Sequence, residues 1–179
     1  IINEVVETKD KYSTLVQQSN DGILIVQDKK FKFAHKALSK ITGFSVEELT
    51  RMSLIEAVAD SEKEKLAERY KKRINGEKVP DFYETKIKCS DGTEKTVELS
   101  VSNITYGEKP AQLAFVRDIS ERKKFEEKVR QSEKKFRETT ELLPEIIYEI
   151  DLDCNLKYAN KIAFEKFGYS EKDFENGIH

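Results

Sequence analysis

Period-two alternation is clearest between residues 82 and 102. Tyr83, Thr85, Ile87 and Cys89 fall on one side of an extended chain, with Glu84, Lys86 and Lys88 on the other. Asp91-Gly92 supplies a hairpin turn, after which Val97, Leu99 and Val101 alternate with Glu98, Ser100 and Ser102. Gly107 to Pro110 reads as a second turn. Residues 111–116 are apolar on both faces, as in a strand covered on both sides. Three consecutive antiparallel strands are therefore predicted over residues 82–117.

Upstream, residues 23–27 form a short apolar run. Asp28-Lys29-Lys30 turns it into a second strand at residues 31–34. The pattern becomes helical from His35 and stops at Gly43, a natural C-terminal cap. Ser45 and Glu48 have the spacing of a capping box, so a short helix starts there, and another short helical stretch is expected from Ser53. Residues 60–75 read as a longer helix with Leu66, Tyr70 and Ile74 four apart on one face. Residues 1–19 also read as helical, with Ile2, Val5, Tyr12 and Val16 on one side and Lys9 interrupting them.

The character changes at Arg117. A highly charged helical run follows, in which Phe125, Val129, Ser132, Phe136, Thr139 and Leu143 keep a heptad spacing. Asp118 and Glu121 have capping-box spacing, with Ser120 as the rival N-cap. After Pro144 the first pattern returns. Residues 146–150 and 156–159 read as strands joined by Asp151 to Asn155, and a helix then runs to Gly168. A further helix is expected to open at Ser170. Lys32, Ala34, Lys36, Gly43 and Ser45 recur as Lys157, Ala159, Lys161, Gly168 and Ser170, a repeat of roughly 125 residues that suits tandem domains rather than a solenoid.

Composition narrows the function classes. The 179 residues are 37% hydrophobic and 37% charged, which suits one modest core with long solvated helices. A net charge of −2 with interleaved signs lacks the basic footprint of a nucleic-acid binder. Cys89 and Cys154 are far apart, so neither a disulfide scaffold nor a thiolate zinc site is expected. No segment approaches the ~20 apolar residues that cross a bilayer, so no membrane contact is expected of this stretch, and the location implied is cytoplasmic. The chain begins at Ile1 and its repeat stops in mid-pattern, so it reads as a piece of a longer protein. No Ser/His/Asp set, phosphate loop or paired metal ligands stand out, so neither enzymatic chemistry nor a metal site is expected.

Several motifs in order resemble the PAS family of sensory domains: Phe33-Ala34-His35 and its echo Tyr158-Ala159-Asn160, Gly43-Phe44-Ser45 followed by Glu47, Glu48 and Leu49, the hairpin Asp91-Gly92-Thr93, and Arg117-Asp118-Ile119-Ser120-Glu121-Arg122. The last is similar to the Asp-Ile-Thr motif that closes PAS domains in sensor kinases. The resemblance covers residues 12–120 and again 136–179. It implies an α+β fold: a five-stranded antiparallel sheet with short helices on one face, flanked by linker helices. The organisation it implies is a linker helix over 1–19, a complete domain over 20–118, a coiled-coil-like linker over 119–138, and the start of a second domain over 139–179.

The resemblance also implies a role: sensing a small molecule or a partner and relaying the change through the linker to an output domain, a histidine kinase above all, in a homodimer paired at Phe125, Val129 and Phe136. The alternatives are a ligand-free dimerisation spacer and, more weakly, a small α+β enzyme. Haem members of the family use a histidine on the long helix, but the histidines here are His35 and His179. Photoactive flavin members use a reactive cysteine where this chain has Arg51-Met52-Ser53, and FAD members stack the ring on Trp, which is absent. All three cofactors are disfavoured, and the ligand, if any, is unassigned.

Strand parity offers Ile23, Ile25, Phe33, Leu66, Tyr70, Tyr83, Ile87, Val97, Leu99, Leu113 and Phe115 as cavity-lining candidates, with the two tyrosines best suited to orient a ligand through a buried hydroxyl. His35 stands where the family prefers Asn and reads as a replacement hydrogen-bonding group, with a pH-sensing or ligand-contacting role as the alternative. Arg117, Asp118, Ile119 and Ser120 are the residues expected to couple the sheet to the linker.

Overall fold

The computed structural model describes residues 20–170 and Asp173. The helix expected over 1–19, with its Ile2, Val5, Tyr12 and Val16, and the residue His179 lie outside the described residues. The chain divides into two compact units, one ending at Lys123 and the other beginning at Lys124.

In the first unit, β1 (Gly22–Gln27) and β2 (Lys30–Ala34) form a hairpin, and β3 (Phe82–Lys88), β4 (Glu94–Tyr106) and β5 (Lys109–Asp118) form the expected meander. All neighbours are antiparallel, and the sheet order is β2-β1-β5-β4-β3. Between the hairpin and the meander lie α1 (Lys36–Thr42), α2 (Val46–Arg51), a 3-10 turn at Asp60–Glu62 and α3 (Lys63–Ile74). Local chemistry sets these helices. Gly43 closes α1 at φ 79, a left-handed conformation suited to glycine. Ser45 and Glu48 make both bonds of the capping box. Gly22 lets α1 lie close on β1, because a Cβ there would stand 2.8 Å from Leu38 Cδ1.

The core lies between one face of the sheet and the helices. Leu24, Val26, Ala34, Val97, Leu99, Val101, Ala114 and Val116 from the strands meet Leu38, Ile41, Leu49, Leu66 and Tyr70 from the helices. Full burial of such side chains contributes about 1.5–3 kcal/mol each.

Four expectations are corrected. Ser53 opens no helix: it bridges to Lys30 of β2, its N–H donates to Glu56 Oε2 at 2.6 Å, and the stretch forms turns. Ile74 does not join the buried stripe of α3 and is 45% exposed, while Arg73 is buried beside it. Residues 111–116 are not covered on both sides, since Phe115 is 41% exposed. The turn after β4 is also tighter than expected: Gly107 and Glu108 take positive φ, and Pro110 already pairs with Thr105.

The second unit begins inside α4 (Ser120–Glu141) and holds β6 (Tyr148–Ile150), β7 (Leu156–Ala159) and α5 (Lys161–Phe167). The β6–β7 hairpin and the following helix repeat the order of β1, β2 and α1, and Gly168 repeats the left-handed cap of Gly43. Ser170 and Asp173 exchange backbone and side-chain hydrogen bonds at the expected helix start.

Candidate functional site

The cavity-lining candidates separate onto two faces. Leu66, Tyr70, Ile87, Val97 and Leu99 belong to the core between sheet and helices, with Tyr83 packed against it. Ile23, Ile25, Phe33, Leu113 and Phe115 do not. Ile23 pairs with Phe115, and Ile25 pairs with both Leu113 and Phe33, so all five share the opposite face. The core positions of these strands are instead Leu24, Val26, Phe31, Ala34, Ala114 and Val116. β1 and β5 are apolar at successive positions, so a one-residue choice of parity moved the whole set.

The two tyrosines have partners within the protein. The Tyr70 hydroxyl accepts from Lys29 N–H at 3.1 Å, and Leu54 N–H donates to Lys29 O at 2.8 Å. Helix α3 thereby holds the tight β1–β2 turn, where Asp28 and Lys29 take φ 54 and 60 without a glycine. Tyr83 carries the Arg69 guanidinium 4.1 Å above its ring. Burial pushes the Tyr83 phenol up, against the opposing pull of Arg73 and Arg69.

His35 caps α1. Its Nδ1 accepts from Ala37 N–H at 3.4 Å, and its backbone N–H donates to Ile23 O at 2.7 Å. The ring is buried, and its Nε2 has no hydrogen-bond partner. The corner role expected of an Asn replacement is therefore filled through one ring nitrogen only.

Linked hydrogen bonds and charges build the junction between the sheet and α4. Ile119 is buried, and its N–H donates to Thr96 O at 3.0 Å. Thr96 N–H in turn donates to Ser120 Oγ at 3.1 Å. Ser120 N–H donates to Asp118 Oδ1 at 2.9 Å, and Lys95 Nζ lies 3.1 Å from Asp118 Oδ2. Of the two rival caps, Asp118 therefore takes the helix N–H, while the Ser120 hydroxyl stitches the helix to β4. Burial pulls the Asp118 carboxyl up, but the Ser120 N–H and Lys95 outweigh it and leave the group below the ordinary carboxylate range.

A ladder of charges crosses the sheet beside this junction. Arg117 holds Asp21 through two bonds of 3.0 and 2.7 Å and lies 3.9 Å from Glu98. Arg122 lies 3.8 Å from Glu98 and 3.5 Å from Glu84, and Lys123 is 2.8 Å from Glu84. Single exposed pairs of this kind contribute little, and the bidentate arginine and the shared glutamates give this set its order. Arg117, Asp118, Ile119 and Ser120 all take part in these contacts. Thr96, Glu98 and Asp21 were missed, because their places follow from strand register and not from any local motif.

The seam residues stand on the surface of α4. Phe125 is 71% exposed, and Val129 and Phe136 are also exposed, with the Phe136 ring 5.8 Å from that of Tyr158. Among the described residues no group of three or more His, Cys, Asp or Glu could hold a metal, and no helix is long and apolar enough to cross a membrane.

Comparison with known proteins fits this geometry. No curated protein matches the chain significantly. Among solved structures, a domain of a sensory box sensor histidine kinase/response regulator from Geobacter sulfurreducens is 20% identical with a TM-score of 0.53, covering 64% of this chain and 96% of that one. The PAS domain of a Colwellia psychrerythraea protein is 15% identical with a TM-score of 0.56, covering 64% and 98%. That of an HTR-like protein from Haloarcula marismortui is 20% identical with a TM-score of 0.53, covering 65% and 96%. At these identities the likeness is one of fold. The PAS fold family model matches residues 10–119, more than half of the chain. With its five-stranded antiparallel sheet, its helices over one face and its Asp-Ile-Ser exit into α4, the chain belongs to the PAS family.

Proposed function

We propose that the chain is a sensory relay module. The first unit responds to a small molecule or partner, the junction at Asp118 converts the response into a movement of α4, and α4 carries it onward. In this reading α4 pairs with that of a second copy through Phe125, Val129 and Phe136, the linker spans 119–138, and residues 139–179 begin a second PAS domain. The output is a histidine kinase in the same parent protein, which is cytoplasmic; the similar Geobacter sulfurreducens structure is a domain of a sensory box sensor histidine kinase/response regulator. Neither PAS unit does catalysis itself.

The observation that carries the reading is the stitching of the first turn of α4 into β4 through Thr96, Ile119 and Ser120. A strand displacement there moves the helix start with it, and a partly polar seam holds neither of two packings too firmly. An absorption scan and mass spectrometry of whatever denaturation releases test the sensing half, with a stoichiometric small molecule as the expected result. Release of nothing would favour the ligand-free spacer. In the parent protein, Asp118→Ala should keep the fold by circular dichroism and lose the link between stimulus and output. A response that survives this change would remove the junction from the mechanism.

A further inference from the structure

The second unit grips the end of α4 through side chains that the first repeat lacks. Asn160 is 0% exposed and sits where β7 runs into α5. Its Oδ1 accepts from Ala163 N–H and Ile147 N–H, both at 3.1 Å. Its Nδ2 donates to Thr140 O at 3.0 Å and Glu145 O at 2.8 Å. One amide thus joins the end of α4, the following loop, the lead into β6 and the start of α5, with its donors and acceptors all engaged.

Tyr158 stands beside it. Its hydroxyl shares a hydrogen bond with the Thr140 hydroxyl and donates to Glu141 Oε1 at 3.3 Å. Glu141 Oε2 accepts from Lys161 N–H at 2.9 Å. The Arg137 guanidinium lies 5.3 Å above the Tyr158 ring. Thr140, a polar residue in a solvated helix, is buried by this arrangement.

The repeat supplies the contrast. Phe33 replaces Tyr158 and has no hydroxyl. His35 replaces Asn160, makes the capping bond alone and leaves Nε2 without a partner. Capping the helix after the hairpin therefore needs one bond. The remaining bonds of Asn160 and those of Tyr158 go to the end of α4 and the segment after it, and Glu141 at the end of α4 accepts one from the first turn of α5.

We propose that Tyr158, Asn160 and Glu141 form a latch that makes the second unit the receiving end of α4. A movement of the helix end is delivered through Thr140 and Glu141 to the β6–β7 hairpin and to the first turn of α5. This rests on the relay reading, and the test separates the two. Amide hydrogen exchange by NMR on the intact chain reads Ile147, Lys161 and Ala163, the amides that donate into the latch.

Tyr158→Phe removes only the hydroxyl and should speed exchange at these amides about fivefold, the size expected for one net hydrogen bond, with the first unit unchanged. Cross-strand contacts between Tyr148 and Ala159 check that the hairpin stays folded. Unchanged exchange at all three amides overturns the latch. Asp118→Asn, which loosens the far end of α4, should reach the same amides in the parent chain and lose that reach when Tyr158→Phe and Glu141→Gln are added. Equal reach in both backgrounds overturns the latch and leaves the relay. An effect that never passes residue 123 overturns the relay.

Discussion

Asp118 shows at the scale of one residue how the junction depends on pH. Its carboxyl is held below the ordinary range in the folded chain, so between the folded and unfolded values the unfolded state binds more protons. The stabilisation is complete above about pH 4, the unfolded value, and is lost as pH falls through the folded one. Asp118→Asn should therefore lower the unfolding midpoint at neutral pH, and the difference should shrink as pH falls below about 4, as thermal melts from neutral pH into acid would show. Equal destabilisation at both ends would mean that the charge of Asp118 does not matter.

The residue scale is also where sequence reading was weakest. Val97 and Leu99 lie on the core face that the alternation of β4 with charged and polar neighbours indicates. Ile23 and Phe115 were misplaced because β1 and β5 do not alternate. The partners of Asp118 across the sheet follow from register, which no local pattern encodes.

At the scale of elements, most boundaries were legible because their chemistry is local. The capping box of α2, the glycine stop of α1 and the Asp91-Gly92 turn each need only a few neighbouring residues. Ser53 failed for the opposite reason: its helical spacing is overruled by a bridge to Lys30, distant in sequence. Helix α4 extends to Glu141, beyond the 138 expected for the linker, and its end is bonded to Asn160 and Tyr158. Its seam residues Phe125 and Val129 remain exposed in the single chain. Burying them between two copies removes apolar surface from water, so a double change of Phe125 and Val129 to Glu should shift sedimentation from dimer to monomer at micromolar concentration. A single chain size for parent and variant alike would contradict pairing through this seam.

For the whole molecule, the α+β class was legible because a hairpin, short helices and a three-stranded meander follow one another along the chain, and the hairpin-and-helix start recurs without the meander. The second unit presents its hairpin and α5 around an apolar cavity of about 310 Å³ lined by Tyr148, Ile150, Leu156, Phe164 and Phe167. Tyr148 and Ile150 pair with Ala159 and Leu156 as Leu24 and Val26 pair with Ala34 and Phe31 in the first unit, so the second hairpin repeats the register of the first.

In the proposed relay, the sheet of the first unit and the start of α4 move as one. Native-state hydrogen exchange measures this directly, since amides of one cooperative unit open with one free energy. The amides of Ile119 and Lys123 should share the opening free energy of Val101 and Val116 in the core strands, and Ser120→Ala should separate the two groups. Fast exchange of Ile119 and Lys123 in the parent chain, independent of the strands, would contradict it.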